Sequence, residues 1–314
     1  MYDLITIGRC GVDVYPLQTG VGLADVETFG KFLGGSPTNV AVAASRHGLR
    51  SAVITGVGAD PFGDYVRRAI RGFGVDDAFV STIEGPPTPV TFCEIFPPDH
   101  FPIYFYRGEH PPDLRIEPSM LDLAAIGAAG LFWFSLTGLS REPSAAAHAA
   151  ALSARRRTSG WTVFDLDYRP TLWESREAAH EAARRTLPLA DVAVGNLDEV
   201  EVAVGVRDPE AAAQALLDSG VRLAIVKMGP EGVFARTSEE SALVEPMEVK
   251  VVNGIGAGDA FGGAVCLGLA RGWPLERTLR FANAAGAYVA ARLACADAMP
   301  TTAEVDDLLN GAHS

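Results

Sequence analysis

The sequence predicts an α/β domain with a mostly parallel central sheet covered by helices on both faces. Three observations carry this expectation. Short apolar runs of strand length alternate with longer amphipathic stretches, an order that demands crossover connections. The 314 residues are 48 % hydrophobic and 21 % charged, which excludes disorder and suffices for a full core. No linker, internal repeat or compositional break divides the chain, so residues 1–314 read as a single domain.

The first run, residues 2–7, closes at Gly8 and reads as a buried parallel strand. Comparable runs follow at 52–57, 131–135, 162–166, 192–194 and 223–226. Helical stretches fall between and after them, at 37–47, 62–73, 142–157, 175–187, 210–218, 258–271 and 274–293. Two segments, 14–32 and 89–107, break the alternation. They are punctuated by Pro and Gly and rich in Val, Phe and Tyr, which suits short antiparallel strands. They are either surface hairpins or a small β lid that closes over a site on the main domain.

Charge narrows the partners. Lys and Arg number 26 against 39 Asp and Glu, a net charge of −13. Nucleic acid and anionic membrane surfaces would be repelled, so an anionic substrate must be met by a local pocket of positive charge. Apolar stretches are interrupted before the ~18 residues a membrane span needs. The opening MYDLITIGRC lacks a basic region followed by an apolar core. Cys10, Cys93, Cys266 and Cys295 lie far apart with no C-x-x-C pair, which fits buried thiols in a reducing cytoplasm.

The strongest chemical signal is Asn253-Gly254-Ile255-Gly256-Ala257-Gly258-Asp259, leading into an apolar helix. Gly256, Ala257 and Gly258 let backbone approach a ligand, and a helix start aims free N–H groups and a positive dipole at a phosphate. Asp259, in the first turn, could accept a proton from a substrate hydroxyl. An ordinary Gly-rich turn with an N-terminal acid would read the same by itself. The second signal is Gly34-Gly35-Ser36-Pro37-Thr38-Asn39, also opening a helix. The glycines allow a polyol to rest on backbone, and Asn39 offers a donor and an acceptor to hydroxyls. Ser36 as N-cap and Pro37 behind it would explain the turn alone, but not Asn39 in a helix interior.

In this order, near the two ends of the chain, these motifs resemble those of the PfkB (ribokinase-like) carbohydrate kinases. The resemblance implies a three-layer sandwich with a β lid, and an ATP- and Mg²⁺-dependent kinase acting on a sugar hydroxyl. It implies that Asp13, Gly34, Gly35 and Asn39 bind the sugar, while Gly256, Ala257 and Gly258 form an anion hole beside Asp259 as base. Gly56-Val57-Gly58-Ala59-Asp60 with Gly63 resembles the family's G-x-D-x-x-G turn. Asn196-Leu197-Asp198-Glu199 matches its N-x-x-E element, which implies that Asn196 and Glu199 order magnesium through water. Lys227-Met228-Gly229-Pro230-Glu231-Gly232 is similar to its nucleotide loop, with Lys227, Gly229 and Gly232 as nucleotide contacts, and Asn283 falls in the helix that flanks adenine. Where the family usually carries Asp-Thr, this chain has Asn253-Gly254; the Asp commonly helps hold a monovalent cation, so potassium activation is doubtful here.

Substrate choice rests on two arginine-bearing stretches, Phe105-Tyr106-Arg107 and Asp165-Leu166-Asp167-Tyr168-Arg169-Pro170. Tyr106, Arg107 and Arg169 are candidate substrate contacts, because paired guanidinium groups suit a carboxylate and a neutral hexose would offer them nothing. Either Arg alone could be a structural ion pair. The stretches are similar to those of family members acting on keto-deoxy sugar acids, most of all the branch phosphorylating 5-dehydro-2-deoxygluconate in myo-inositol catabolism. The alternatives are a 2-dehydro-3-deoxygluconate kinase, a fructokinase- or ribokinase-like enzyme, or a sugar-acid binding protein without catalysis. A dinucleotide enzyme needs G-x-G-x-x-G after the first strand, and Gly8-Arg9-Cys10-Gly11 breaks that spacing. The lid is also a candidate homodimer face. His47, His148, Trp133 and Phe134 read as core residues, and Arg155-Arg156-Arg157 as a solvated helix end.

Overall fold

Alternation within the central strands decides which face each helix covers. The computed structural model describes residues 1–156 and 158–311. Arg157 and the last three positions lie outside the described residues. The chain runs β1 (Leu4–Ile7), β2 (Gly11–Pro16), β3 (Phe29–Gly34), α1 (Ser36–Arg46), β4 (Ser51–Gly58), α2 (Pro61–Gly72), β5 (Val80–Ile83), β6 (Val90–Cys93) and β7 (Ile103–Tyr106). It continues with α3 (Leu123–Ala128), β8 (Leu131–Ser135), α4 (Ser144–Arg155), β9 (Trp161–Asp165), α5 (Arg176–Thr186), β10 (Val192–Asn196), α6 (Leu197–Val204), α7 (Pro209–Asp218) and β11 (Leu223–Lys227). The hairpin β12 (Val233–Arg236) and β13 (Ser241–Val244) precedes α8 (Ala257–Arg271), α9 (Leu275–Ala290) and α10 (Thr302–Gly311).

Nine strands form the main sheet in the order β13-β12-β11-β10-β9-β8-β1-β4-β5. All pairings are parallel except β11 with β12 and β12 with β13. Leu4, Val53, Leu131, Trp133, Val163 and Val192 point to a layer built from α1, α2, α8, α9 and α10. Ile5, Ile54, Phe132, Phe134, Phe164 and Ala193 point the other way, onto α3 to α7. The result is a three-layer sandwich whose central strands are buried on both faces, as continuous apolar runs require. Phe134 stacks on Phe164 at 4.6 Å, and Trp133 is 1 % exposed, so both are core. Among the described residues no helix is long and apolar enough to cross a membrane.

The segments that break the alternation form a separate four-stranded sheet, β3-β2-β6-β7. It starts at Gly11 and reaches Gly34, so Asp13 lies within a strand of the small sheet, and residues 17–28 are the loop between β2 and β3. Short elements that carry little periodicity escape the sequence reading: β5, the β12–β13 hairpin, α3, α6 and α10.

One residue of the cationic run departs from expectation, while Arg156 is exposed as expected. Arg155 is 3 % exposed; its Nη1 donates to the carbonyls of Ile126 and Ala129 (3.1 and 2.6 Å) and its Nη2 to Trp161 O (3.0 Å). It ties α3 and α4 to β9, so burial of the guanidinium is met by carbonyl acceptors and not by solvent. His47 and His148 are structural, and burial pushes each down to about 4.

Candidate active site

A cleft of about 500 Å³ opens at the carboxyl ends of the parallel strands, beneath the small sheet. Residues at and just past the ends of β1, β9, β10 and β11 supply Arg9, Asp165, Asp167, Arg169, Asn196, Glu199 and Lys227. The N-termini of α1 and α8 enter from one side with Gly35, Ser36, Asn39, Gly256, Gly258 and Asp259. The ends of parallel strands are where open α/β sheets leave backbone and side chains free for ligands.

The two glycine-rich motifs meet here although far apart in sequence. α1 and α8 approach through small side chains, and a Cβ on Gly263 would collide with Ala43. That close packing brings Asn39 Nδ2 within 2.9 Å of Asp259 Oδ2, which accepts its hydrogen bond. One carboxylate oxygen of Asp259 is thereby fixed. Burial raises the Asp259 pKa, opposed by the Asn39 hydrogen bond. Ser36, expected as the N-cap, lies inside the helix; Gly35 caps it at φ 101°, where a Cβ would meet Cys10 Cα at 2.6 Å. The turn needs a glycine, and the serine hydroxyl turns to the cleft instead.

Gly256 caps α8 with φ 87°. Among the described residues the N–H groups of Gly256 and Gly258 have no partner, while Ala257 N reaches Gly254 O only at 3.4 Å. Lys227 stands over this turn: its Nζ would lie 3.4 Å from a Cβ on Gly258. Burial opposes charge on Lys227, yet Glu199, Asp165 and Asp259 raise its pKa and keep it cationic. Unpaired N–H groups, a helix dipole and an ammonium converge on one spot suited to an anion.

Asp13 occupies the opposite wall. Its Oδ2 accepts from Tyr15 OH at 2.6 Å, and it lies against Gly34, where any Cβ would collide with the carboxylate. Burial pushes Asp13 up to about 6, with the Tyr15 hydrogen bond opposing. Tyr15 OH also lies 2.8 Å from Cys295 Sγ, which donates to Ile255 O at 3.1 Å.

Four cations, Arg9, Arg107, Arg169 and Lys227, line the cleft of an otherwise acidic protein. Asp167 sits between Arg9 (2.6 Å) and Arg169 (2.7 Å); burial would raise it, but the two guanidinium groups hold it well below the usual carboxylate range. Burial pushes Asp165 the other way, and the neighbouring carboxylates add to it against Lys227. Arg107 pairs with Asp113 through Nη2 at 2.7 Å and lines the cleft. Arg9, which the sequence reading used only to reject a dinucleotide turn, donates to Thr137 and Asp167 and lies 5.7 Å from the Phe105 ring centroid.

Not every expected residue reaches the cleft. Tyr106 is 67 % exposed and packs on Phe92, because strand alternation turns Ile103 and Phe105 inward and Tyr104 and Tyr106 outward. Gly232 serves the turn into β12 at φ 91°, where a Cβ would collide with Val244 O. Asn283 donates to Glu245 O at 2.7 Å on α9, outside the cleft. Asp60 caps α2 by accepting from Gly63 N and holds Thr88 N at 2.7 Å, so its turn braces the strand leading into β6. Glu199 and Asn196 form a reciprocal cap at the start of α6; Glu199 Oε2 accepts from Asn196 N at 2.7 Å, and Oε1 lies 3.7 Å from Arg169.

Known proteins resemble this chain along nearly its whole length. A 5-dehydro-2-deoxygluconokinase of Geobacillus kaustophilus is 31 % identical over 98 % of this chain and 93 % of its own length. An E. coli protein described as a ribokinase II, solved with ATP and Mg²⁺, superposes with a TM-score of 0.89 at 23 % identity, covering 99 % of this chain and all of the other. A fructokinase variant of Vibrio cholerae, solved with fructose, ADP and a potassium ion, gives 0.85 at 23 % identity, covering 98 % of each chain. Residues 1–302 match the profile of the pfkB family carbohydrate kinases, and the chain belongs to that family.

Proposed function

We propose that the protein transfers the γ-phosphoryl group of ATP to the primary hydroxyl of a keto-deoxy sugar acid, 5-dehydro-2-deoxygluconate, giving the 6-phosphate. The observation that carries this is the Asn39–Asp259 hydrogen bond, which places a half-buried carboxylate between the sugar-side helix and the anion-binding turn. Asp259 accepts the hydroxyl proton late, as the attacking oxygen becomes acidic, so its position matters more than its basicity. The N–H groups of Gly256, Ala257 and Gly258, with Lys227, meet the charge on the transferring phosphoryl oxygens. Asn196, Glu199 and Gly229, which line the cleft, form the nucleotide side of this reading, with Gly232 and Asn283 left to structural roles.

The Glu199 carboxylate faces the cleft with one oxygen spent on the cap, which fits a Mg²⁺ that keeps its waters. Bound so, Mg²⁺ would neutralise charge on the phosphates. Arg107 and Arg169, with Arg9 in the same cleft, recognise the substrate carboxylate, while Asp13, Gly34, Gly35 and Asn39 hold its hydroxyls. The small sheet is a lid whose closure excludes water, since hydrolysis would otherwise compete with transfer. Its outer face exposes Phe29, Tyr104 and Tyr106, and a second copy docked there completes a dimer; sedimentation as a monomer would remove that element. Four buried free cysteines support a cytoplasmic location.

The test is product formation from ATP with 5-dehydro-2-deoxygluconate, 2-dehydro-3-deoxygluconate, fructose and ribose, beside Asp259→Asn. The first substrate should show the highest kcat/KM, and the variant should lose ~10²–10⁴ in kcat. Preference for another sugar would reassign the substrate. Binding without turnover would make this a sugar-acid binding protein, and near wild-type kcat in a folded Asp259→Asn would remove Asp259 from the chemistry.

A further inference from the structure

The turn that carries the anion hole, residues 253–256, is fastened to the segment after α9 by neutral groups alone. Asn253 is fully buried. Its Nδ2 donates to Leu293 O at 2.8 Å and its Oδ1 accepts from Ile255 N at 3.0 Å. The backbone N–H groups of Val252 and Asn253 both donate to Ala290 O, at 2.8 and 3.1 Å. Cys295 Sγ donates to Ile255 O at 3.1 Å and packs under Gly256, where a Cβ would come within 2.6 Å of the sulfur.

A monovalent cation stitching these two segments would need carbonyl oxygens turned toward it, and an anionic ligand would strengthen its hold. Among the described residues joining these segments, neither is found. The Leu293, Ile255 and Ala290 carbonyls are already taken by N–H and S–H donors, and the side chain facing Leu293 O is an amide whose positive end points at that oxygen. A cation would have to displace a buried hydrogen bond and then sit beside N–H protons. We propose that the Asn253 amide does the work of a bound monovalent cation in this chain: it joins the two segments, fixes the Gly256 turn, and makes the anion hole independent of potassium. The inference rests on the reading of residues 256–258 as an anion hole, but not on the identity of the sugar.

The experiment has a thermal and a kinetic arm. Tm and kcat are measured in potassium, sodium and choline chloride at equal ionic strength, for wild type and Asn253→Asp. Wild-type Tm should be the same in all three salts within about 1 °C, and kcat within about two-fold, because a ligand with no site gives no mass-action stabilisation. Asn253→Asp sets a carboxylate against Leu293 O, two acceptors facing each other, and creates the missing anionic ligand. Its Tm should be lower in choline and recover by several degrees in potassium, with kcat rising about ten-fold or more. A wild-type gain in potassium above these bounds overturns the proposal, as does an Asn253→Asp variant that matches wild type in choline. If Asn253→Asp does not fold, Asn253→Ala takes its place: kcat should fall in every salt alike, and wild-type kcat would overturn the proposal. The Tm arm needs no substrate, so its result stands even if the sugar is misassigned.

Discussion

Replacing Asp13 by Asn should make the protein more stable and a poorer enzyme. The Asp13 carboxyl is 7 % exposed, and burial raises it from an ordinary 3.8 to about 6. At about 1.4 kcal/mol per tenfold change in proton affinity, its ionised form at neutral pH opposes folding by about 3 kcal/mol. A raised folded-state pKa contributes stability that is complete below 3.8 and lost as pH rises through 6, so wild type should gain stability on acidification from pH 7. Asn keeps the acceptor for Tyr15 OH, seen at 2.6 Å, and adds an N–H₂ directed to the cleft. Because that amide must find a partner, the gain should be smaller than the full figure, about 1–2 kcal/mol at neutral pH. The substrate hydroxyl loses a charged acceptor, and KM for the sugar should rise by ~10-fold or more. Urea unfolding at pH 7 and near pH 5 reads the first effect and steady-state kinetics the second. A variant less stable than wild type at pH 7, or one with an unchanged pH slope, would refute the argument that Asp13 is held charged against its surroundings.

Three further outcomes follow from the same geometry. Arg107→Ala and Arg9→Ala should raise KM for a sugar acid by ~30-fold or more and for its neutral analogue far less; equal effects on both would leave these arginines a structural role. Asn39→Ala frees the Asp259 carboxylate, so kcat should fall by ~10-fold or more with the fold intact by circular dichroism, and an unchanged kcat would show that Asp259 needs no such tether. Solution scattering with ATP and substrate should give a smaller radius of gyration than the free protein, and identical curves would rule out closure of the small sheet.

The central architecture was legible because buried parallel strands write themselves as apolar runs: residues 131–135 are β8 end to end, and the principal helices sit within a residue or two of their expected starts. The motifs at Gly34-Gly35 and Gly256-Ala257-Gly258 were legible because positive φ and close approach leave glycine few substitutes. What escaped was side-chain direction. Tyr106 and Phe105 are equally aromatic neighbours, and only the register of β7 with β6 decides which one enters the cleft. Arg9 gave no signal because its partners, Thr137 and Asp167, lie more than a hundred residues away. Arg155 looked like a solvated helix end because the carbonyls that receive it belong to α3 and β9, whose approach no local pattern records.

The 220 residues that separate Asn39 from Asp259 also set a clock on biosynthesis. At roughly 5–20 residues per second, Asn39 leaves the ribosome some ten to forty-five seconds before its partner is made. β1 waits as well, since it lies between β4 and β8 and cannot be flanked until residue 135 has emerged. A nascent chain therefore presents sugar-side groups without the turn that meets a phosphate. If the α8 turn is the anion hole proposed above, the half-made protein has no means to spend ATP, and competence arrives only when α8 docks on α1.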